Sequence, residues 1–132
     1  MLRGADPRLA VLVDARNVLR STWPNLEAET VVAGSAAWAA EHGGRAVVVF
    51  DGTAPGGVVG VSARGGAVVV GTGTEESADD WLTRAASRFA ARERPYWLVT
   101  SDRALRAAAG GAAERLVGGG ALARELRARG AP

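Results

Sequence analysis

The sequence predicts a layered α/β protein with a mostly parallel sheet. Short, uninterrupted apolar runs such as LAVLV at 9–13, VVVF at 47–50 and WLV at 97–99 alternate with longer segments whose apolar residues recur at three- and four-residue spacing. Val-rich runs without polar alternation are typical of strands covered on both faces. The length of 132 residues fits one domain, and the expected unit is 1–132.

Taken in order, the first strand runs Leu9 to Asp14, followed by a turn of helix over Asn17 to Trp23 that Pro24-Asn25 ends. Leu26 to His42 carries Leu26, Val31, Val32, Ala36, Ala37 and Ala40 at helical spacing and stops at Gly43-Gly44. Arg45 to Asp51 is the second strand. Gly52 to Gly66, rich in glycine, reads as a flexible loop or irregular extension, and Ala67 to Gly71 as a third short strand. Ser77 to Glu93 is a helix, closed by Pro95 before a strand at Tyr96 to Thr100. A helix over Asp102 to Ala109 is broken by Gly110-Gly111. Arg115 to Val117 forms a short fifth strand and Ala121 to Arg129 a last helix.

Composition removes several chemistries. Cysteine is absent, which excludes disulfides, thiol nucleophiles and Cys-ligated zinc. The single histidine, His42, stands at a helix end beside Gly43-Gly44, and nothing in its sequence neighbourhood suggests a Ser-His-Asp triad. All sixteen cationic side chains are arginine, so Schiff-base lysines and a P-loop lysine are unavailable, and GTGTEES at 71–77 is no Walker motif. No apolar run approaches the roughly 20 residues that span a bilayer, and MLRGADPR lacks the apolar core of a signal peptide, so a cytoplasmic location and no membrane partner are expected. A formal charge of +2 does not by itself argue for nucleic acid.

The aspartates are distributed less evenly than the arginines. Of six, Asp14, Asp51 and Asp102 follow apolar strand runs, and Asp79 and Asp80 open a helix. In open parallel sheets the functional crevice lies outside the carboxyl ends of the strands, so these acids should converge on one edge. Crowded carboxylates repel one another unless a positive group joins them. Oxygen donors without Cys or convergent His select a hard cation, Mg²⁺ or Mn²⁺. Such ions activate water for phosphodiester hydrolysis. At about 100° per residue, Asp79 flanks the apolar stripe Ala78, Trp81, Leu82, Ala85 and Phe89, whereas Asp80 lies nearly opposite and completes Ser77-x-x-Asp80, a capping-box-like pattern. Asp79 is therefore the expected site residue and Asp80 a supporting one. Each acid has a quieter reading too: Asp51-Gly52 is a common turn pair, Asp102 an ordinary N-cap, Asn17 a cap, and Thr100 and Ser101 turn residues.

At these residues the chain resembles the YacP-like branch of the NYN domains, within the PIN-like nuclease superfamily. The resemblance rests on VLVDARNVL at 11–19, VVFDG at 48–52, ESADDWL at 76–82 and VTSDRALR at 99–106. It implies a PIN-like three-layer α/β/α sandwich and a metal-dependent endoribonuclease acting on single-stranded or loop RNA, with Mg²⁺ or Mn²⁺. It places Asp14, Asp79 and Asp102 in the metal-binding set with Asp51 as a further member. Asn17, Thr100 and Ser101 would orient those acids or a metal-bound water, with Glu76 and Asp80 supporting. Relatives often have Gly and an aromatic after the first aspartate, where this chain has Ala15-Arg16, and Arg16 could meet a phosphate instead. Arg64 in the Gly-rich loop and Arg103 complete the expected RNA contacts.

Two rivals compete with a nuclease. A catalytically silent RNA- or nucleotide-binding module of the same fold should have lost at least one of the four acids, since an acidic pocket without metal repels phosphate. A phosphoacceptor receiver domain would need a Lys after its last strand, and this chain has none. The four tryptophans fall mostly in helix or strand patterns, where packing is the commoner use, so no base-stacking platform is expected.

Overall fold

The computed structural model describes residues 9–130; residues 1–8, on which the signal-peptide expectation rests, and 131–132 lie outside the described residues. Among the described residues six strands form one sheet: β1 (Leu9–Asp14), β2 (Gly44–Phe50), β3 (Gly60–Arg64), β4 (Ala67–Gly71), β5 (Tyr96–Val99) and β6 (Arg115–Val117). Their spatial order is β3-β4-β2-β1-β5-β6, parallel throughout except for the antiparallel β3–β4 pair. Five helices cover it: α1 (Ala15–Leu19), α2 (Ala28–Glu41), α3 (Ala78–Ala91), α4 (Arg103–Ala109) and α5 (Gly119–Ala128). This is a single α/β domain.

Strand alternation builds the three layers, because successive side chains point to opposite faces. Val11, Val13, Ala46, Val48, Phe50, Trp97 and Val99 face one side, where Val18 of α1, Val31, Val32 and Trp38 of α2 and Leu122 and Leu126 of α5 cover them. Ala10, Leu12, Val49, Val70, Tyr96 and Leu98 face the other, against Ala78, Leu82 and Ala86 of α3 and Leu105 and Ala109 of α4. The central strands are buried on both faces, which explains why their sequences run apolar without alternation.

Three sequence expectations are corrected. The stretch 52–66 is not all loop: Gly60–Arg64 pairs with β4 as an edge strand, and its glycine and exposed Val61 hid it, since an edge strand with one open face carries little apolar signal. Along α2 the buried positions are Val31, Val32, Ser35, Trp38 and Ala39, while Ala37 and Ala40 are exposed; alanine is too weakly apolar to fix a helix phase, and Trp38 decides it. The tryptophans divide. Trp38 and Trp97 are core residues in edge contact, with the His42 ring tilted against both, whereas Trp23 is 89% exposed.

Candidate active site

Register and alternation together place the acids. Asp14, the last residue of β1, lies opposite Val49 and shares its face of the sheet, the one under α3 and α4. Asp51 stands two residues beyond Val49, and Thr100 follows inward-facing Val99, so both fall on that same face by parity. Asp102 and Asp79 arrive on the opening turns of α4 and α3. Asp14, Asp51, Asp79 and Asp102 line one cleft of about 470 Å³ at the carboxyl edge of the sheet, with Arg16, Asn17, Arg20, Ser21 and Ser77.

Asp14 is the fixed member. It is 6% exposed, accepts a hydrogen bond from the Thr100 hydroxyl at 2.8 Å, and receives the backbone N–H of Asn17. Thr100, fully buried, also accepts from the Asp102 backbone N–H at 3.1 Å, so one hydroxyl ties the end of β1 to the turn that leads into α4. Burial pushes the Asp14 carboxyl above its ordinary value. The Thr100 and Asn17 hydrogen bonds oppose the rise, and the charges of Asp79 and Asp51 add to it. Asp79 is more open to solvent but is pushed up as well, first by partial desolvation in the cleft, then by Asp102, Asp51 and Asp80, with Arg16 opposing. The cleft therefore carries negative charge that its own cations do not balance.

The quieter roles coexist with this placement. Asp51 Oδ1 accepts from the Ala78 N–H at 2.8 Å, satisfying the first turn of α3 across the sheet, and Gly52 takes the left-handed φ of 72° that makes 51–52 a turn. Asp102 Oδ1 caps α4 through the Leu105 N–H at 2.9 Å. Ser77 accepts from the Asp80 N–H at 3.1 Å, and Asp80 does not line the cleft. Glu76 pairs with Arg84 along α3, away from the acids.

Asn17 touches Asp14 only through its backbone. Its side-chain Oδ1 accepts from the Ser101 N–H at 2.9 Å, and the Ser101 hydroxyl in turn accepts from the Gly119 N–H at 2.9 Å. The first turn of α5 is thereby knitted to the cleft floor. Gly119 permits it: a Cβ there would lie 1.9 Å from Asn17 Oδ1.

The expected RNA-contacting arginines separate. Arg16 lines the cleft, its Nε 3.6 Å from Asp51 Oδ2 in an exposed pair of small energetic weight. Arg64 is committed elsewhere, donating to Pro55 O at 2.7 Å and to Glu29 of α2 at 2.6 Å. Arg103 is exposed at the start of α4 and does not line the cleft. Sequence reasoning missed Arg20 and Gly119. Arg16, on α1, and Arg20, its C-cap, sit four apart in the sequence, and the run Gly118-Gly119-Gly120 marks a close backbone approach; both signals were present.

Comparison with known proteins agrees with this architecture. No curated protein matches the chain. Two solved structures, both of Rae1 (YacP) from Bacillus subtilis, superpose well. A mutant form does so at 22% identity with a TM-score of 0.68, over 91% of this chain and 76% of that one. The other does so at 24% identity with a TM-score of 0.63, over 90% and 74%. At these identities the likeness establishes the fold. A family model, the YacP-like NYN domain, matches residues 11–130, nearly all of the described chain. The chain belongs to the YacP-like NYN domain family.

Proposed function

We propose that the protein is a Mg²⁺- or Mn²⁺-dependent endoribonuclease that hydrolyses internal phosphodiester bonds in single-stranded or loop RNA. The observation that carries this reading is the convergence of Asp14, Asp51, Asp79 and Asp102 on one cleft whose charge is left unbalanced. Membership of a family of the nuclease type supports it. No helix among the described residues is long and apolar enough to cross a membrane.

The residues suit a hard cation in chemistry. Their donors are all oxygen, and the Asp14 and Asp79 carboxyls, raised first by desolvation and further by the neighbouring acids, are groups whose charged forms a cation would favour. Among the described residues no three acidic side chains are already grouped closely enough to share an ion. Asp14 is locked by burial and Asp102 is held by its cap to the Leu105 N–H, so Asp79, on an exposed helix turn, is the one whose rotamer can adjust to complete the set. A divalent cation bound here would lower the pKa of an attacking water and stabilise the charge that develops on the phosphate.

The chain's own groups then have definite tasks. Thr100 holds Asp14 in one rotamer through its hydroxyl proton. Arg16 and Arg20, on the cleft wall, take the flanking phosphates through their planar forks, and the exposed Arg16–Asp51 pair is weak enough to be exchanged for a phosphate contact. Water attack on phosphorus leaves a 5′-phosphate on one fragment and a 3′-hydroxyl on the other.

The test is incubation of purified protein with unstructured RNA, with Mg²⁺ or Mn²⁺ and with EDTA, beside Asp14→Asn and Asp102→Asn. Cleavage lost in EDTA and in both variants is the expected result; activity surviving both substitutions refutes the mechanism. RNA bound without cleavage in any condition would identify the silent binding module instead.

A further inference from the structure

The cleft walls supply charge but no aromatic face, and an unpaired RNA strand is ordinarily held by both. A candidate for that face lies three residues beyond Arg20 of the cleft wall, at Trp23. After α1 the chain makes a short excursion that closes on itself, the Leu26 N–H donating to Leu19 O at 3.2 Å. Two residues of that excursion, Arg20 and Ser21, line the cleft. Trp23 follows two residues later, 89% exposed, the most exposed of the large apolar side chains among the described residues.

An indole so exposed contributes little to folding, yet the backbone beneath it is held from both sides. Arg127 of α5 donates to the Thr22 hydroxyl at 3.4 Å from Nε and 3.3 Å from Nη2, and Nη2 also donates to Pro24 O. The Thr22 hydroxyl reaches Pro24 O at 3.4 Å, and the Ser21 hydroxyl donates to Asn17 O. Buried Leu26 anchors the far end. Residues flanking Trp23 are thus bonded on both sides while its ring is left in solvent. A loop pinned this way spares a ligand the cost of ordering the backbone that carries the ring.

We infer that Trp23 is a base-stacking subsite of the cleft, taking the face of one unpaired nucleobase while Arg16 and Arg20 hold the adjoining phosphates. The inference rests on the proposed RNA reading and adds to it a register: the stacked base fixes which phosphodiester lies over the aspartates. Stacking tolerates any base, so the subsite selects unpaired RNA over duplex without selecting sequence.

The test measures binding of a short unstructured RNA to the full chain carrying Asp79→Asn, with Mg²⁺ present, and compares it with the same chain bearing Trp23→Ala or Trp23→Phe. Base–aromatic stacking of about 1–3 kcal/mol corresponds to roughly 5- to 150-fold in affinity. Trp23→Ala should weaken binding by about tenfold or more, and Trp23→Phe should recover most of it. An abasic scan of the RNA adds a second readout. One position should cost the Trp23 chain a similar factor and cost Trp23→Ala almost nothing. In the active chain Trp23→Ala should raise KM with kcat nearly unchanged, because stacking is the same in ground and transition states. Equal affinity for all three side chains, or abasic losses identical with and without Trp23, overturns the subsite and leaves the nuclease reading intact. Failure of the Trp23 chain to bind RNA at all removes the substrate reading, and the subsite with it.

Discussion

Replacing Gly119 by alanine should damage both the stability and the wiring of the cleft. The new Cβ would sit 1.9 Å from Asn17 Oδ1 and 2.9 Å from its Cγ, where real Cβ contacts stay beyond 3.0 Å. The Asn17 amide must retreat by more than an ångström, and its bond to the Ser101 N–H, now 2.9 Å, is lost. Overpacking of this kind costs about 1–3 kcal/mol, and the hydrogen bond about 1 kcal/mol more. Reduced freedom of the unfolded chain returns about 0.4–1 kcal/mol. The net expectation is a loss of about 1–3.5 kcal/mol, which at roughly 2.1 cal/mol/K per residue lowers the melting temperature by about 4–13 °C. Thermal unfolding followed by circular dichroism measures it. The decisive control is the double mutant. Asn17→Ala alone should cost about 1 kcal/mol, and adding Gly119→Ala to it should cost less than about 1 kcal/mol further, because the clashing atoms are gone. A Gly119→Ala protein melting within about 2 °C of the parent, or two strictly additive losses, would refute the reasoning.

Three further outcomes follow from the same geometry. Because the folded protein holds the Asp14 proton more tightly than the unfolded chain does, ionisation of Asp14 costs stability as pH rises above the ordinary carboxylate value through the raised one. In EDTA, Asp14→Asn should therefore gain melting temperature relative to the parent between pH 4 and pH 7 while losing nuclease activity; a difference independent of pH would contradict this. Thr100→Val removes a buried hydroxyl that serves both Asp14 and the Asp102 N–H, and should cost about 2–4 kcal/mol in denaturant unfolding, with Thr100→Ser restoring most of it. In the cleavage assay Asp79→Asn should lose far more rate than Asp80→Asn, since only Asp79 lines the cleft; equal losses would show that helix phase does not separate them.

Most of the strand framework can be read from the chain because a parallel strand buried on both faces has only one way to look: Val11 to Val13, Val47 to Val49 and Trp97 to Val99 are apolar at every position. The convergence of the acids follows from the same cause, since each strand ends where the apolar run ends. What escaped is what the sheet does not dictate. Strand β3 lies at an edge and has no pattern of its own until β4 pairs with it. The phase of α2 depends on Trp38 among alanines of nearly equal hydropathy. Arg64 carries the charge to meet a phosphate but is held by Pro55 and Glu29, neither of which its sequence neighbourhood names. The loop that carries Trp23 is held by Arg127 of α5, and Gly119, the first residue of that helix, packs against Asn17; both pairings span about a hundred residues, over which local patterns say nothing of the partner.

The placement of β1 at the middle of the sheet has a temporal consequence. Its two neighbours are β2 and β5, and the hydroxyl that fixes Asp14 belongs to a residue 86 positions later. A chain under synthesis carries Asp14 early but lacks the groups that position it until β5 and the turn into α4 have emerged. At about 5–20 residues per second that interval lasts several seconds or more. The fold makes its central strand first and closes the cleft around it late, so a nascent chain holds the first acid of the cleft well before it holds a cleft.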